Sequence, residues 1–131
     1  MAIDFERMDH VAIRVKDMDA SAKWYSDVLG MEILHQWSNA WILGRGKARL
    51  GLYAAPNATA VNDPEQYLTL HHFAYLVTPR QLIAAEVFLK DSQITYEGPK
   101  DSGYFWSLFV TDPDGYRVEF LTDHPPDSDS P

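Results

Sequence analysis

Two stretches of this chain begin alike: His10-Val-Ala-Ile-Arg-Val15 and His72-Phe-Ala-Tyr-Leu-Val77. Each alternates as a strand does, and each is followed by the signals of a helix start. After the first come Asp17 and Asp19 as N-caps, a helical face of Met18, Ala22, Tyr25 and Leu29, and Gly30 for the left-handed C-cap. After the second come Thr78 as N-cap, Pro79 at the first helical position and Gln81 as capping-box partner, for a helix running to about Lys90. A repeat of this length is one supersecondary unit used twice, the second copy covering what the first cannot bury alone.

The remaining strands complete the unit. In the first copy they are expected over Met31 to Trp37, Ala40 to Leu43 and Ala48 to Ala54, with a turn at Gly44-Arg-Gly-Lys47. In the second copy the first strand is expected over Leu68 to Val77 and the others at Ile94 to Glu97, Tyr104 to Thr111 and Tyr116 to Thr122. Residues 55–65, rich in Pro, Asn and Asp, suit a connection. The expected fold is therefore α+β: two βαβββ modules, about 8–55 and 68–122, in a single domain over residues 1–122. Placed side by side, they are expected to curve into a half-open, barrel-like mixed sheet with helices on its convex side. Trp24, Tyr25, Trp41 and Phe88 are expected in the core.

Composition narrows the function. A chain of 131 residues with a formal charge of −8 lacks the basic face that a nucleic acid partner requires. No segment approaches the length of a membrane span, and Met1 to Arg7 carries no basic region followed by an apolar run, so a soluble cytoplasmic protein is expected. The absence of cysteine removes disulfides, thiol nucleophiles and Cys-based metal sites together. Any metal must then use His and carboxylate ligands. Residues 123–131, acidic and rich in Pro and Ser, are expected to form a disordered tail.

The chemistry concentrates around Phe109-Val-Thr-Asp-Pro-Asp-Gly-Tyr-Arg-Val-Glu-Phe120. Asp112-Pro-Asp-Gly115 makes a type I turn with a left-handed Gly, a hairpin loop that pairs Thr111 with Arg117 and Phe109 with Glu119. Glu119 then shares a face with Arg117, Leu121, Phe109 and Ser107, while Val118 and Phe120 point the other way. A carboxylate in that position needs a partner. His10 and His72, at equivalent places in the repeat, supply two candidates. Taken singly, each histidine reads as an ordinary half-buried ring and Glu119 as an edge-strand glutamate. Taken jointly, two imidazoles and one carboxylate form the facial set that binds Fe(II), Mn, Co, Ni or Zn with positions left open for substrate. His71 is expected on the face opposite His72, whereas Arg14 shares the His10 face and suits either an anionic substrate group or an ion pair.

At these residues the chain resembles the vicinal oxygen chelate superfamily, which includes glyoxalase I, extradiol dioxygenases, fosfomycin-resistance enzymes and bleomycin-resistance proteins. The matching stretches are Asp9-His-Val-Ala-Ile-Arg-Val15, Trp24-Tyr-Ser-Asp-Val-Leu-Gly-Met31, His71-His-Phe-Ala-Tyr-Leu-Val77 and Asp112-Pro-Asp-Gly-Tyr-Arg-Val-Glu-Phe120. The resemblance implies paired βαβββ modules, a divalent metal held by His10, His72 and Glu119, small-molecule substrates chelating through adjacent oxygens, and a homodimer. It implies either a metal-dependent lyase, isomerase or dioxygenase in which Glu119 is also catalytic, or a drug-binding protein without catalysis. Glyoxalase-like members take a fourth ligand from the last strand of the first module, where this chain offers Gly51 and has no Asp or Glu between Glu32 and Asp63. Extradiol dioxygenases carry a catalytic Tyr where this chain has Phe109, and a further catalytic His that has no counterpart between His35 and His71. Fosfomycin-type enzymes share the His, His, Glu set, and Ser107 fits one of their polar substrate positions.

Overall fold

The computed structural model describes residues 1–123; apart from Asp123, the expected tail lies outside the described residues. Two compact units divide the chain, one over Met1–Thr59 and one from Ala60 onward. Each is a βαβββ module built on a four-stranded mixed sheet. No helix among the described residues is long and apolar enough to cross a membrane.

The first module runs β1 (Val11–Val15), α1 (Met18–Leu29), β2 (Glu32–Gln36), β3 (Ala40–Arg45) and β4 (Ala48–Ala54). Asp17 caps α1 by accepting from the Ala20 amide at 3.0 Å, and Gly30 ends it at φ 68°, a left-handed turn that costs glycine nothing. Between the caps, Ala22, Tyr25 and Leu29 recur at helical spacing and are buried with Ile13, Val15, Leu43, Leu50 and Leu52 of the sheet. The strand order is β1-β4-β3-β2, with β1 parallel to β4 and the other pairs antiparallel. Edge strand β2 is exposed along its whole length.

The second module repeats the plan with β5 (Phe73–Leu76), α2 (Pro79–Asp91), β6 (Glu97–Asp101), β7 (Trp106–Thr111) and β8 (Arg117–Thr122), in the order β5-β8-β7-β6. Thr78 and Gln81 close the expected capping box at the start of α2. Buried Leu82 and Leu89 belong to the helix, and Leu108, Val110 and Val118 to the sheet strands on which it packs. Phe88, expected in the core, is exposed together with Ile83 and Val87, so α2 buries a narrower stripe than its apolar content suggests. The strand expected at Ile94 to Glu97, the second of this module, is also corrected. The strand starts at Glu97 and carries Pro99, which an edge strand tolerates because its missing N–H would face outward.

The β7–β8 hairpin follows the expected register, Phe109 opposite Glu119 and Thr111 opposite Arg117. Its loop is held by the buried Asp112, whose Oδ1 accepts from the Asp114 and Tyr116 amides, both at 2.9 Å, while Gly115 takes φ 93°.

Two stability predictions follow from this packing. Leu108 is fully buried, so Leu108→Ala is expected to lower unfolding free energy by about 2–5 kcal/mol in urea denaturation. Burial pushes the Tyr75 hydroxyl up to about 12 from 10.0. The folded chain therefore holds this proton where the unfolded chain has released it, and stability is lost as pH rises from 10 towards 12. The loss has a ceiling of about 2–3 kcal/mol. Denaturation at pH 9 and 11.5 should show Tyr75→Phe losing less than wild type, and equal losses would contradict the assignment.

Candidate functional site

In the second unit the parallel pairing of β5 with β8 sets Ala74 opposite Glu119. His72, the residue before β5 and two before Ala74, therefore lies diagonal to Glu119 near the start of β8. Its Nε2 lies 3.1 Å from Glu119 Oε1. Glu119 is only 6% exposed, a depth at which a carboxylate needs a hydrogen-bonding or charged partner. Around the pair, the Phe109 ring meets His72 edge-on at 5.8 Å between centroids, and the Arg117 guanidinium lies 4.3 Å from the Phe109 centroid. Arg117 also donates to Glu97 Oε2 at 2.7 Å. Ser107 shares the face by alternation but is buried.

His71 departs from expectation. It belongs to the opposite face only if the strand has already begun, and β5 starts at Phe73. On the irregular backbone before it, His71 Nδ1 comes within 2.8 Å of His72 Nδ1, so the two rings are hydrogen-bonded neighbours.

The first unit carries the equivalent arrangement with one change. His10 immediately precedes β1, as His72 precedes β5. The β1–β4 register sets Ala12 opposite Gly51, so Gly51 occupies the slot that Glu119 fills in the second module. A Cβ built on Gly51 would lie 3.7 Å from His10 Cδ2 and 3.2 Å from the Ala12 Cβ. The carboxylate has no counterpart there. His10 Nδ1–H instead donates to Asp9 Oδ2 at 2.8 Å, with Arg49 Nη1 3.8 Å from the other Asp9 oxygen. The hydrogen bond from His10 holds the Asp9 carboxyl below its usual value, opposed by desolvation and reinforced by Arg49. Arg14 is exposed on β1, opposite Tyr53.

Of the residues singled out in the sequence, the structure thus brings His72, Glu119, Phe109 and Arg117 together within the second unit, while His10 and Arg14 belong to the first. Among the described residues, no group of three or more His, Asp or Glu side chains is gathered as a metal-holding cluster. Asp9 carried no role in the sequence reading and His71 was expected on the opposite face, so neither contact with a repeat histidine was foreseen. The signal available was their position, each directly before a repeat histidine.

Residues 7–120 match the model of the Glyoxalase/Bleomycin resistance protein/Dioxygenase superfamily. A lactoylglutathione lyase of Haemophilus influenzae is 33% identical over 86% of this chain and 89% of its own length. A catechol-2,3-dioxygenase of Bacillus subtilis is 26% identical over 88% of this chain, which spans only 41% of that enzyme. Among solved structures, a glyoxalase family protein from Enterococcus faecalis superposes with a TM-score of 0.76 at 25% identity, over 90% of this chain and 98% of that one. Matched from residue 7 to residue 120, and similar over most of its length to a relative that it nearly spans, the chain belongs to the glyoxalase/bleomycin resistance protein/dioxygenase superfamily.

Proposed function

We propose that the chain is a metal-dependent enzyme acting on a small molecule that offers two adjacent oxygens, with His72, Glu119 and His10 as metal ligands. The observation that carries this reading is the contact between the half-exposed His72 ring and the buried Glu119 carboxylate. Two donors bound at 2.0–2.2 Å to one divalent ion would stand about 3 Å apart. The pair stands at 3.1 Å, so its donors fit such an ion with little movement. Fe, Mn, Co, Ni and Zn all accept this donor chemistry.

A divalent ion, when bound, supplies Lewis-acid polarisation of the substrate oxygens. The chain's own residues supply the rest. Phe109 and the Arg117 guanidinium stacked on it, itself paired with Glu97, form a flat wall beside the pair, suited to a planar substrate portion. Ser107 and Arg14 remain candidate substrate contacts, Ser107 on the Glu119 face and Arg14 on β1. The relatives' names agree with this substrate class, because catechol and the lactoyl group both carry oxygens on neighbouring carbons. Lyase or isomerase chemistry and dioxygenase chemistry are both compatible with it, and Phe109 offers no hydroxyl for proton transfer. A second reading, a drug- or ligand-binding protein without catalysis, is favoured by Gly51, which leaves the first module's slot without a donor. A homodimer and a cytoplasmic location belong to the same proposal.

The decisive test is Glu119→Gln, which removes the charge and little volume. Metal content of protein purified without chelators is expected to fall to background, activity to disappear, and stability to stay within about 1 kcal/mol. Full occupancy in a folded Glu119→Gln protein would move the binding-protein reading ahead. Sedimentation at micromolar concentration is expected to show a dimer, and a monomer would count against that part of the proposal.

A further inference from the structure

Both repeat histidines have their Nδ1 occupied by the residue immediately before them. Asp9 accepts from His10 Nδ1 at 2.8 Å, and His71 Nδ1 meets His72 Nδ1 at 2.8 Å. The two modules reach the same result with different chemistry, a carboxylate in one and an imidazole in the other. We propose that Asp9 and His71 are positioning residues that fix the rings of His10 and His72 through Nδ1 and so leave Nε2 of each ring free to bind a metal ion. The inference rests on the metal-dependent reading above.

A neutral imidazole carries one N–H and one lone pair, and the partner at one nitrogen decides which character the other shows. Asp9 is an acceptor, so Nδ1 of His10 carries the hydrogen and Nε2 keeps its lone pair outward. In His72, Nε2 is the atom already turned to Glu119. A His72 ring that gives its Nε2 lone pair to a cation carries its proton on Nδ1, and His71 Nδ1 is placed to accept it. The rings of His71 and His72 stand at 74° with centroids 5.0 Å apart, a geometry that restrains rotation of His72 about its own bonds. Arg49 draws on the second Asp9 oxygen and holds that carboxylate in turn. Neither Asp9 nor His71 needs to touch substrate or metal for this. Partners of this kind typically change metal affinity by about 10–100-fold.

The test is cobalt(II) titration of the full chain, read by its visible absorption and by calorimetry. The variants are Asp9→Ala, Asp9→Asn, His71→Phe, His71→Asn and Glu119→Gln, with thermal unfolding of each recorded alongside. Asp9→Ala and His71→Phe are expected to bind cobalt(II) about 10–100-fold more weakly with little change in unfolding temperature. Asp9→Asn and His71→Asn, which keep an acceptor at Nδ1, are expected to recover most of the loss. Unchanged affinity in both Asp9→Ala and His71→Phe, with wild type binding tightly, overturns the inference and leaves the metal-dependent reading intact. Asn variants as weak as Ala and Phe overturn it as well, since packing rather than the hydrogen bond would then be responsible. Wild type failing to bind cobalt(II) removes the metal-dependent reading and this inference together. A measurement that needs no variant is nitrogen NMR of wild type loaded with zinc(II): His10 and His72 should both be protonated at Nδ1 and metal-bound at Nε2. Coordination through Nδ1 of either ring overturns the proposal.

Discussion

Parallel pairing between the first and last strand of each module is the constraint from which the rest follows. Parallel neighbours cannot be joined by a tight hairpin, so the chain must leave the sheet and return. Here it does so through a helix and two further strands. The detour brings a residue at the very start of the module beside one near its end. His72 and Glu119 meet for this reason, although most of the second module lies between them in sequence. The ladder sets the backbone of β5 and β8 and so brings the two residues near each other, while ordering their side chains still costs rotamer entropy.

The two copies differ where it matters most. Glu119 and Gly51 hold the same register position, opposite Ala74 and Ala12 respectively. The Gly51 slot is already tight, because an added Cβ would stand 3.2 Å from the Ala12 Cβ, so a longer side chain there requires its neighbour to yield. One module therefore carries imidazole and carboxylate, and the other imidazole alone. The first module's histidine takes its negative partner from Asp9, just before the strand, instead of from the strand opposite.

Much of this was legible in advance, and the reasons are local. Asp17, Gly30, Thr78 and Gln81 act through neighbouring backbone groups, so their roles can be read from spacing alone. The Asp112-Pro-Asp-Gly115 turn sets the β7–β8 register by the same kind of chemistry, and with it the face of Glu119. What was missed depends on where strands begin. Alternation predicts opposite faces for His71 and His72 only within a strand, and β5 starts at Phe73, after both of them. Asp9 was overlooked because a carboxylate before a strand usually signals nothing beyond a solvated end. Phe88 was misplaced because aromatic content suggested burial, whereas α2 turns Leu82 and Leu89 inward and leaves Phe88 exposed.

The sheet of the second module divides its labour between faces. Val118, Leu108 and Val110 are buried among the apolar residues, and Phe120 stacks on Tyr75 with ring centroids 6.2 Å apart. The alternate positions carry Glu119, Arg117 and Phe109. Arg117 sits two residues from Glu119 on the same face and is the nearest cation along that strand, so it would be the natural partner to neutralise the carboxylate. It is bound elsewhere, to Glu97 at 2.7 Å and over the Phe109 ring. Glu119 is left with an imidazole, whose lone pair and proton can exchange places, instead of a guanidinium, whose charge is permanent. A carboxylate paired to arginine would have gained a fixed counter-charge and lost its capacity to accept another. With Arg117 committed to Glu97 and Phe109, the contact that the buried Glu119 carboxylate makes is with the His72 ring.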